Sequence, residues 1–268
     1  MMKKTPIIIK KLKKHFGEVK AVDEITFSLS KGEIHGLLGP NGAGKTTTIK
    51  CIMGLLEPQG GEIKVLGYNP FTDPVAVKAK IGFVAEEANL YKSMSPKELF
   101  NFIASIRQLN EGKTTLRVKE LMESLDAMEY YNTPIITLSK GNQQKIQIIA
   151  AMMHDPPILL LDEPLAGLDA KTSKIVKELL NIYTDSGGSI LLSTHIMEQA
   201  AELCDQISII NKGKLVADGT LEELRDFADA TGESLENVFL RLTEQDKSVK
   251  DVIMRMRDAY KQKKSSED

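Results

Sequence analysis

The sequence predicts an α/β fold with a mostly parallel sheet, an antiparallel β-rich N-terminal subdomain and an inserted helical subdomain. Three observations carry that expectation. The runs Ile158-Leu159-Leu160-Leu161-Asp162 and Ser189-Ile190-Leu191-Leu192-Ser193 are apolar almost throughout, as parallel strands covered on both faces are. Ile25, Phe27 and Leu29 alternate with polar residues near the N-terminus, the pattern of half-buried strands. From about residue 89 to residue 153 the apolar positions instead recur at helical spacing.

In chain order, Ile7-Ile8-Ile9 opens the β-rich portion, Lys31-Gly32 turns the chain, and Ile34 to Leu38 forms a strand. That strand runs into Gly39-Pro40-Asn41-Gly42-Ala43-Gly44-Lys45-Thr46, after which helical periodicity extends from Thr46 to Leu55. Glu57-Pro58-Gln59-Gly60-Gly61 ends the helix ahead of a short strand at Ile63 to Leu66. Ser95-Pro96-Lys97-Glu98 has the form of a helix start, with Leu99, Phe102, Ile103 and Ile106 on one face. A helix from Ala170 to Asp185 completes a crossover between the two apolar strands. Ile207 to Ile210, the turn Asn211-Lys212-Gly213 and Leu215 to Ala217 form a hairpin, and a charged helical tail follows Thr220. In that tail Val249, Val252, Ile253, Met256 and Tyr260 make an apolar face suited either to packing on its own domain or to a dimer contact.

Composition narrows the function. A chain of 268 residues, 42% hydrophobic, can bury a full core without disulfides or metal staples. Lys plus Arg (35) nearly balances Asp plus Glu (37), so no basic field gathers nucleic acid and none is expected as a partner. Cys51 and Cys204 lack the paired spacing of a zinc or redox site and read as small buried apolar residues. The N-terminal apolar run stops at Lys10-Lys11, so no export signal is expected, and no run approaches the ~20 residues of a membrane helix. A membrane role therefore has to come through a partner.

The segment Gly39 to Thr46 carries the chemistry. Phosphates are held by backbone N–H groups and a helix N-terminus, and Gly39, Gly42 and Gly44 allow the backbone to come close. This is a P-loop: Pro40, Asn41 and Ala43 complete it, Lys45 brings a cation to the β- and γ-phosphates, the Thr46 hydroxyl suits Mg²⁺, and Thr47 adds a hydrogen bond. The core is accordingly expected to be that of a P-loop NTPase. Leu161-Asp162-Glu163-Pro164 places two carboxylates at the end of a buried strand. Asp162 suits Mg²⁺, and Glu163 suits a general base acting on the water that attacks the γ-phosphate.

These motifs, in order over about residues 5 to 220, resemble the ATPase subunits of ATP-binding-cassette (ABC) transporters. Leu138-Ser139-Lys140-Gly141-Asn142-Gln143-Gln144 is similar to the family's signature segment, and the resemblance implies that Ser139 and Gly141 serve the γ-phosphate bound by a second subunit. Leu165-Ala166-Gly167-Leu168-Asp169 is similar to the loop that links the two sites across the dimer, Asp169 being its functional residue, a helix cap, or both. Ser193-Thr194-His195 resembles the switch motif whose histidine contacts the γ-phosphate. Phe16 matches the aromatic that stacks on adenine, against the alternative of a core phenylalanine at a strand end. Gly82-Phe83-Val84-Ala85-Glu86-Glu87 falls where the family joins core to helical subdomain, with Glu86 standing where glutamine is usual and so facing Mg²⁺ and water with a carboxylate. Lys140 and Asn142 depart from the commoner signature without removing a hydroxyl or an amide.

The resemblance implies an ATPase using ATP and Mg²⁺, a homodimer or heterodimer of ATPase subunits, and a transmembrane permease as partner. It implies a cytoplasmic location, peripheral on the inner face of the cell membrane, and export as the direction of transport. The ATPase domain is expected over residues 1–220, with core at about 1–88 and 154–220, a helical subdomain at about 89–153, and a C-terminal helical extension over 221–268. Two other readings stand beside it: a soluble ABC ATPase acting in cofactor or protein assembly, and a P-loop kinase, which needs an acceptor and no signature segment.

Overall fold

The computed structural model describes residues 5–243. From the N-terminus the chain forms β1 (Ile7–Phe16), β2 (Val19–Leu29), β3 (Ile34–Leu38), α1 (Lys45–Ile52), β4 (Gly60–Val65), α2 (Pro74–Ala79) and β5 (Ile81–Val84). Helices α3 (Pro96–Ile106), α4 (Glu111–Ser124) and α5 (Lys140–Met152) come next. Then follow β6 (Ile158–Asp162), α6 (Ala170–Asp185), β7 (Ser189–Thr194), α7 (Met197–Leu203), β8 (Gln206–Asn211) and β9 (Lys214–Gly219). Last among the described residues are α8 (Leu221–Phe227) and α9 (Leu235–Leu242).

The α/β class, the antiparallel N-terminal sheet and the mostly parallel second sheet all match the expectation. Strands β2-β1-β4 make a three-stranded antiparallel sheet. Ile7 pairs with both Leu29 and Val65, so the apolar alternation of three strands shares one face, which is buried. The second sheet has the order β5-β6-β7-β3-β8-β9 and is parallel except for β9. Every residue of β3, β6 and β7 is buried, which is why those segments read as continuous apolar runs. The register pairs Val84 with Leu161, Asp162 with Ser193, and Leu38 with Thr194. The loops leaving β5, β6, β7 and β3 therefore emerge side by side at one carboxyl edge, where ligands bind in such sheets.

Local signals set several helix starts. At α3, Ser95 Oγ accepts from Glu98 N–H while a Glu98 oxygen accepts from Ser95 N–H, a complete capping box. Thr220 and Glu223 repeat it at α8. The helix predicted over Thr46 to Leu55 is shorter than expected. It ends at Ile52 because Gly54 takes a left-handed φ of 67° and its N–H turns back to the Cys51 carbonyl. Both α2 and β5 went unanticipated, being only six and four residues long.

Helices α8 and α9 bury Leu224, Leu235, Val238 and Phe239 with Leu38, Ala200, Ile207 and Ile209 of the sheet and α7. The apolar positions Val249 to Tyr260 lie outside the described residues. A buried polar network ties the far strands together: His35 Nε2 lies 2.8 Å from Ser208 Oγ, and Ser208 in turn donates to Asp218. His35 Nδ1 lies 3.4 Å from Glu33 Oε1.

Candidate functional site

The loop between β3 and α1 is built to bring backbone N–H groups to a ligand. Gly44 caps α1 with no side chain bonded to the helix start, and the first turn holds no acidic residue. Its φ of 111° is open only to glycine, and a Cβ there would run into the Ala21 carbonyl. Gly39 is constrained likewise by the Ile210 carbonyl. Together with Ala21, the residues Asn41 to Thr47 line a cleft of about 360 Å³ whose opposite wall is Glu86, Asp162 and Glu163. Thr46 and Thr47 are part-exposed there, whereas Thr48 turns its hydroxyl inward to the Gly44 carbonyl at 2.9 Å.

Lys45 is 6% exposed and folds back over the loop, donating to the carbonyls of Gly39 at 2.7 Å and Pro40 at 3.2 Å. Its Nζ stands 3.9 Å from Glu163 Oε1. Burial pushes the ammonium below the ordinary lysine pKa, opposed by the carboxylates of Glu163, Asp162 and Glu86. One cation facing three carboxyl groups is a donor set for a cation-bearing polyanion: the N–H side suits phosphate, the carboxyl side a hard metal ion.

Asp162 ends β6 at 2% exposure and accepts from the Ser193 hydroxyl. Glu163 follows at a left-handed φ of 50°, unusual for a non-glycine residue. Its N–H donates to the Ser193 carbonyl at 3.0 Å. One carboxylate oxygen accepts from Thr194 Oγ1 at 3.2 Å, and the other lies 2.7 Å from His195 Nδ1. The carboxylate is thus aimed by two residues of the neighbouring strand end, with the imidazole half-exposed beside it. In this state His195 is bonded to Glu163, where the resemblance implied a contact with the γ-phosphate.

The sequence profile of the ABC transporter family matches residues 22–166, more than half of the chain. The chain belongs to the ABC transporter family. The ABC transporter ATP-binding protein NatA of Bacillus subtilis (strain 168) is 37% identical over 83% of this chain and 90% of that protein. The linearmycin resistance ATP-binding protein LnrL of the same organism is 38% identical over 80% of this chain and 68% of that protein. A solved ATP-binding subunit of an ABC transporter superposes with a TM-score of 0.85 at 32% identity, covering 89% of this chain and all of that one. The protein is thus an ABC transporter ATP-binding subunit.

Of the residues expected at this chain's own nucleotide, Asn41 to Thr47, Glu86, Asp162 and Glu163 line the cleft, whereas Phe16, Gly39, Pro40 and His195 are not part of its lining. Ser139 and Gly141, expected to serve the nucleotide of a second subunit, are not part of it either. Ser139 is exposed and caps α5, accepting from Asn142 N–H at 3.2 Å. Gly141 instead sits against the Gly167 carbonyl. Asp169 caps α6, accepting from Thr172 N–H at 2.8 Å, and that bond holds its carboxyl below the usual range. Phe16 is 48% exposed at the β1–β2 turn, so it is no core residue, and Lys14 Nζ lies 5.1 Å from its ring centre.

Four contributors escaped sequence reasoning. Ser193 and Thr194 lie in the segment recognised for His195, and their hydroxyls hold Asp162 and Glu163. Gln147 donates to the Ala85 carbonyl at 2.8 Å, beside Glu86. Ala21 lines the cleft from β2, and nothing in its own sequence neighbourhood signals it.

Proposed function

We propose that this ATPase subunit powers export of a substrate through a separate membrane permease, and that two ATPase subunits close on two ATP molecules to do so. The observation that supports it is the placement of the signature segment: Ser139 and Gly141, which the resemblance assigns to the γ-phosphate of a second subunit, do not line the cleft that holds Lys45, Thr46, Asp162 and Glu163 of their own chain. A second subunit, identical or related, supplies them. Residues 1–220 form the ATPase domain, with the helical subdomain near 89–153 and an extension beyond 220.

Within each half-site the loop N–H groups and Lys45 bind the phosphates, and Phe16 stacks on adenine. Thr46 and Asp162, with Glu86 nearby, hold Mg²⁺, which neutralises phosphate charge when bound. Glu163 accepts the proton of the attacking water, its carboxylate held in place by Thr194 and His195. On closure His195 also reaches the γ-phosphate, and Asp169 links the two sites.

The permease docks on the groove where α3 and α5 meet β5, a cleft of about 530 Å³ that includes Met53, Leu55, Phe83, Leu90 and Ile103. Gln147 and His154 also line it, and among the described residues Gln147 Oε1 and His154 Nδ1 are buried without a hydrogen-bond partner. His154 Nε2 donates to the Ile81 carbonyl at 3.1 Å and burial drives its pKa down to about 4, so Nδ1 is an acceptor. Among the described residues no helix is long and apolar enough to cross a membrane, in keeping with a peripheral subunit. Resistance to linearmycin, named for the Bacillus subtilis relative, favours export.

Purification of the tagged chain from detergent-solubilised membranes of its own host tests the reading. Recovery with a multi-span membrane protein, in a complex holding two ATPase subunits, is the expected result. A chain that never sediments with membranes is a soluble ATPase of cofactor or protein assembly instead.

A further inference from the structure

The phosphate loop is held from outside by a hairpin that takes no part in the chemistry above. Strands β8 and β9 join through Lys212 and Gly213, both at positive φ, 48° and 78°, as a tight two-residue hairpin turn requires. The Gly213 N–H donates to the Ala43 carbonyl at 3.0 Å, and the Gly213 carbonyl accepts from Asp23 N–H at 2.7 Å. The Ile210 carbonyl of the same hairpin abuts Gly39. The hairpin therefore touches the loop near both ends. Its far end is anchored too, by the Ser208, Asp218 and His35 network across β8, β9 and β3.

The consequence falls on the peptide between Ala43 and Gly44. A trans peptide points its carbonyl and its N–H in opposite directions. With the Ala43 carbonyl drawn to Gly213, the Gly44 N–H is aimed away from the hairpin, and Gly44 lines the cleft. N–H groups so oriented at a helix start are what phosphate oxygens bind. The geometry points to Gly213 as a positioning residue for ATP: it acts through Ala43 to hold a loop N–H in its binding orientation and touches no substrate atom. A side chain there is excluded by φ and by space, since a Cβ would stand 2.5 Å from the Lys20 carbonyl and 3.1 Å from that of Ala21.

The test is Gly213→Ala in the full chain, beside Gly67→Ala, a control that also has positive φ (91°) but open space around its Cβ. The expected result for Gly213→Ala is an apparent KM for ATP about five- to tenfold higher, the scale of one hydrogen bond's contribution, with ATP affinity by calorimetry weakened in step and kcat nearly unchanged. Gly67→Ala leaves KM at the wild-type value. An unchanged KM in a folded Gly213→Ala protein overturns the assignment, as does a fall of kcat with stability at constant KM. Because the role rests on ATP occupying this loop, calorimetry on the wild-type chain is run alongside, and absence of ATP binding there refutes that premise rather than the hairpin geometry alone. If Gly213→Ala does not fold, amide exchange at Gly213 in the wild-type chain decides: slower exchange with ADP bound supports the role by reciprocity of coupling, and exchange indifferent to ADP overturns it.

Discussion

Exchange of Glu163 for Gln tests the centre of the mechanism. The substitution keeps the side chain's length and its seat against Thr194, whose hydroxyl still finds an amide oxygen, but removes the basic oxygen that faces His195 at 2.7 Å. General-base assistance is worth about 10² to 10⁴ in rate, or about 3 to 5.5 kcal/mol of barrier. A second effect works on binding. Lys45 Nζ lies 3.9 Å from Glu163 Oε1 with both side chains almost wholly buried, an attraction of about 4 kcal/mol at an effective dielectric near 20. Without that competitor the ammonium is freer to bind phosphate, so ATP affinity should hold or rise while turnover falls. The assay is steady-state phosphate release at saturating MgATP, with ATP affinity from calorimetry and assembly state from gel filtration. We predict turnover down by about 10² to 10⁴, affinity retained, and an ATP-bound dimer that persists. Turnover equal to wild type would refute Glu163 as the base.

Three further outcomes are expected. Glu86→Gln removes an exposed cleft carboxylate and should raise the Mg²⁺ concentration for half-maximal hydrolysis by up to about fivefold, the worth of about 1 kcal/mol; an unmoved Mg²⁺ titration excludes Glu86 from metal binding. Thr220→Ala dismantles the α8 capping box, in which Thr220 Oγ1 accepts from Glu223 N–H at 3.2 Å, at a cost of about 1 kcal/mol or about 2–4 °C in Tm, measured by thermal unfolding. For His35, burial opposes the charged form, but Asp218 and Glu33 outweigh it and raise the pKa, while His35 lowers both carboxyl pKa values in return. The raised histidine contributes stability that is fully present below its unfolded pKa of about 6.5 and is lost as pH rises through the folded value. The lowered carboxyls of Glu33 and Asp218 add stability that is lost as pH falls through their folded values, on the acid side. The unfolding midpoint should therefore decline on the alkaline side more steeply in wild type than in His35→Gln, and parallel profiles for the two would count against the network.

Much of this architecture is readable in the chain because its causes are local. The apolar runs of β6 and β7 reflect burial on both faces, Ser95 and Glu98 carry their own capping box, and α6 begins at Ala170 because Asp169 caps it. Residue type likewise determines the chemistry available at Gly39 to Thr46 and at Asp162-Glu163. What stayed hidden depends on atoms distant in sequence. Helix α1 stops at Ile52, three residues before the periodicity fades, at the left-handed Gly54, a position held for glycine by the distant Pro70 carbonyl, from which a Cβ would stand 2.6 Å away. Strand β5 is too short for a pattern to show.

The same division runs through the site. Sequence alone determined that phosphates are bound and which side chains are able to hold a metal or accept a proton, since that follows from functional groups and their spacing. Tertiary structure alone decided that Thr194 and His195 grip Glu163, that the Ala21 and Ile210 carbonyls leave room only for glycine at Gly44 and Gly39, and that Gly213 holds Ala43. The physical reason is that hydrogen bonds and close contacts act over a few ångströms, and only the folded sheet brings residues far apart in the chain, such as Glu163 and His195 at a separation of 32 positions, within that range.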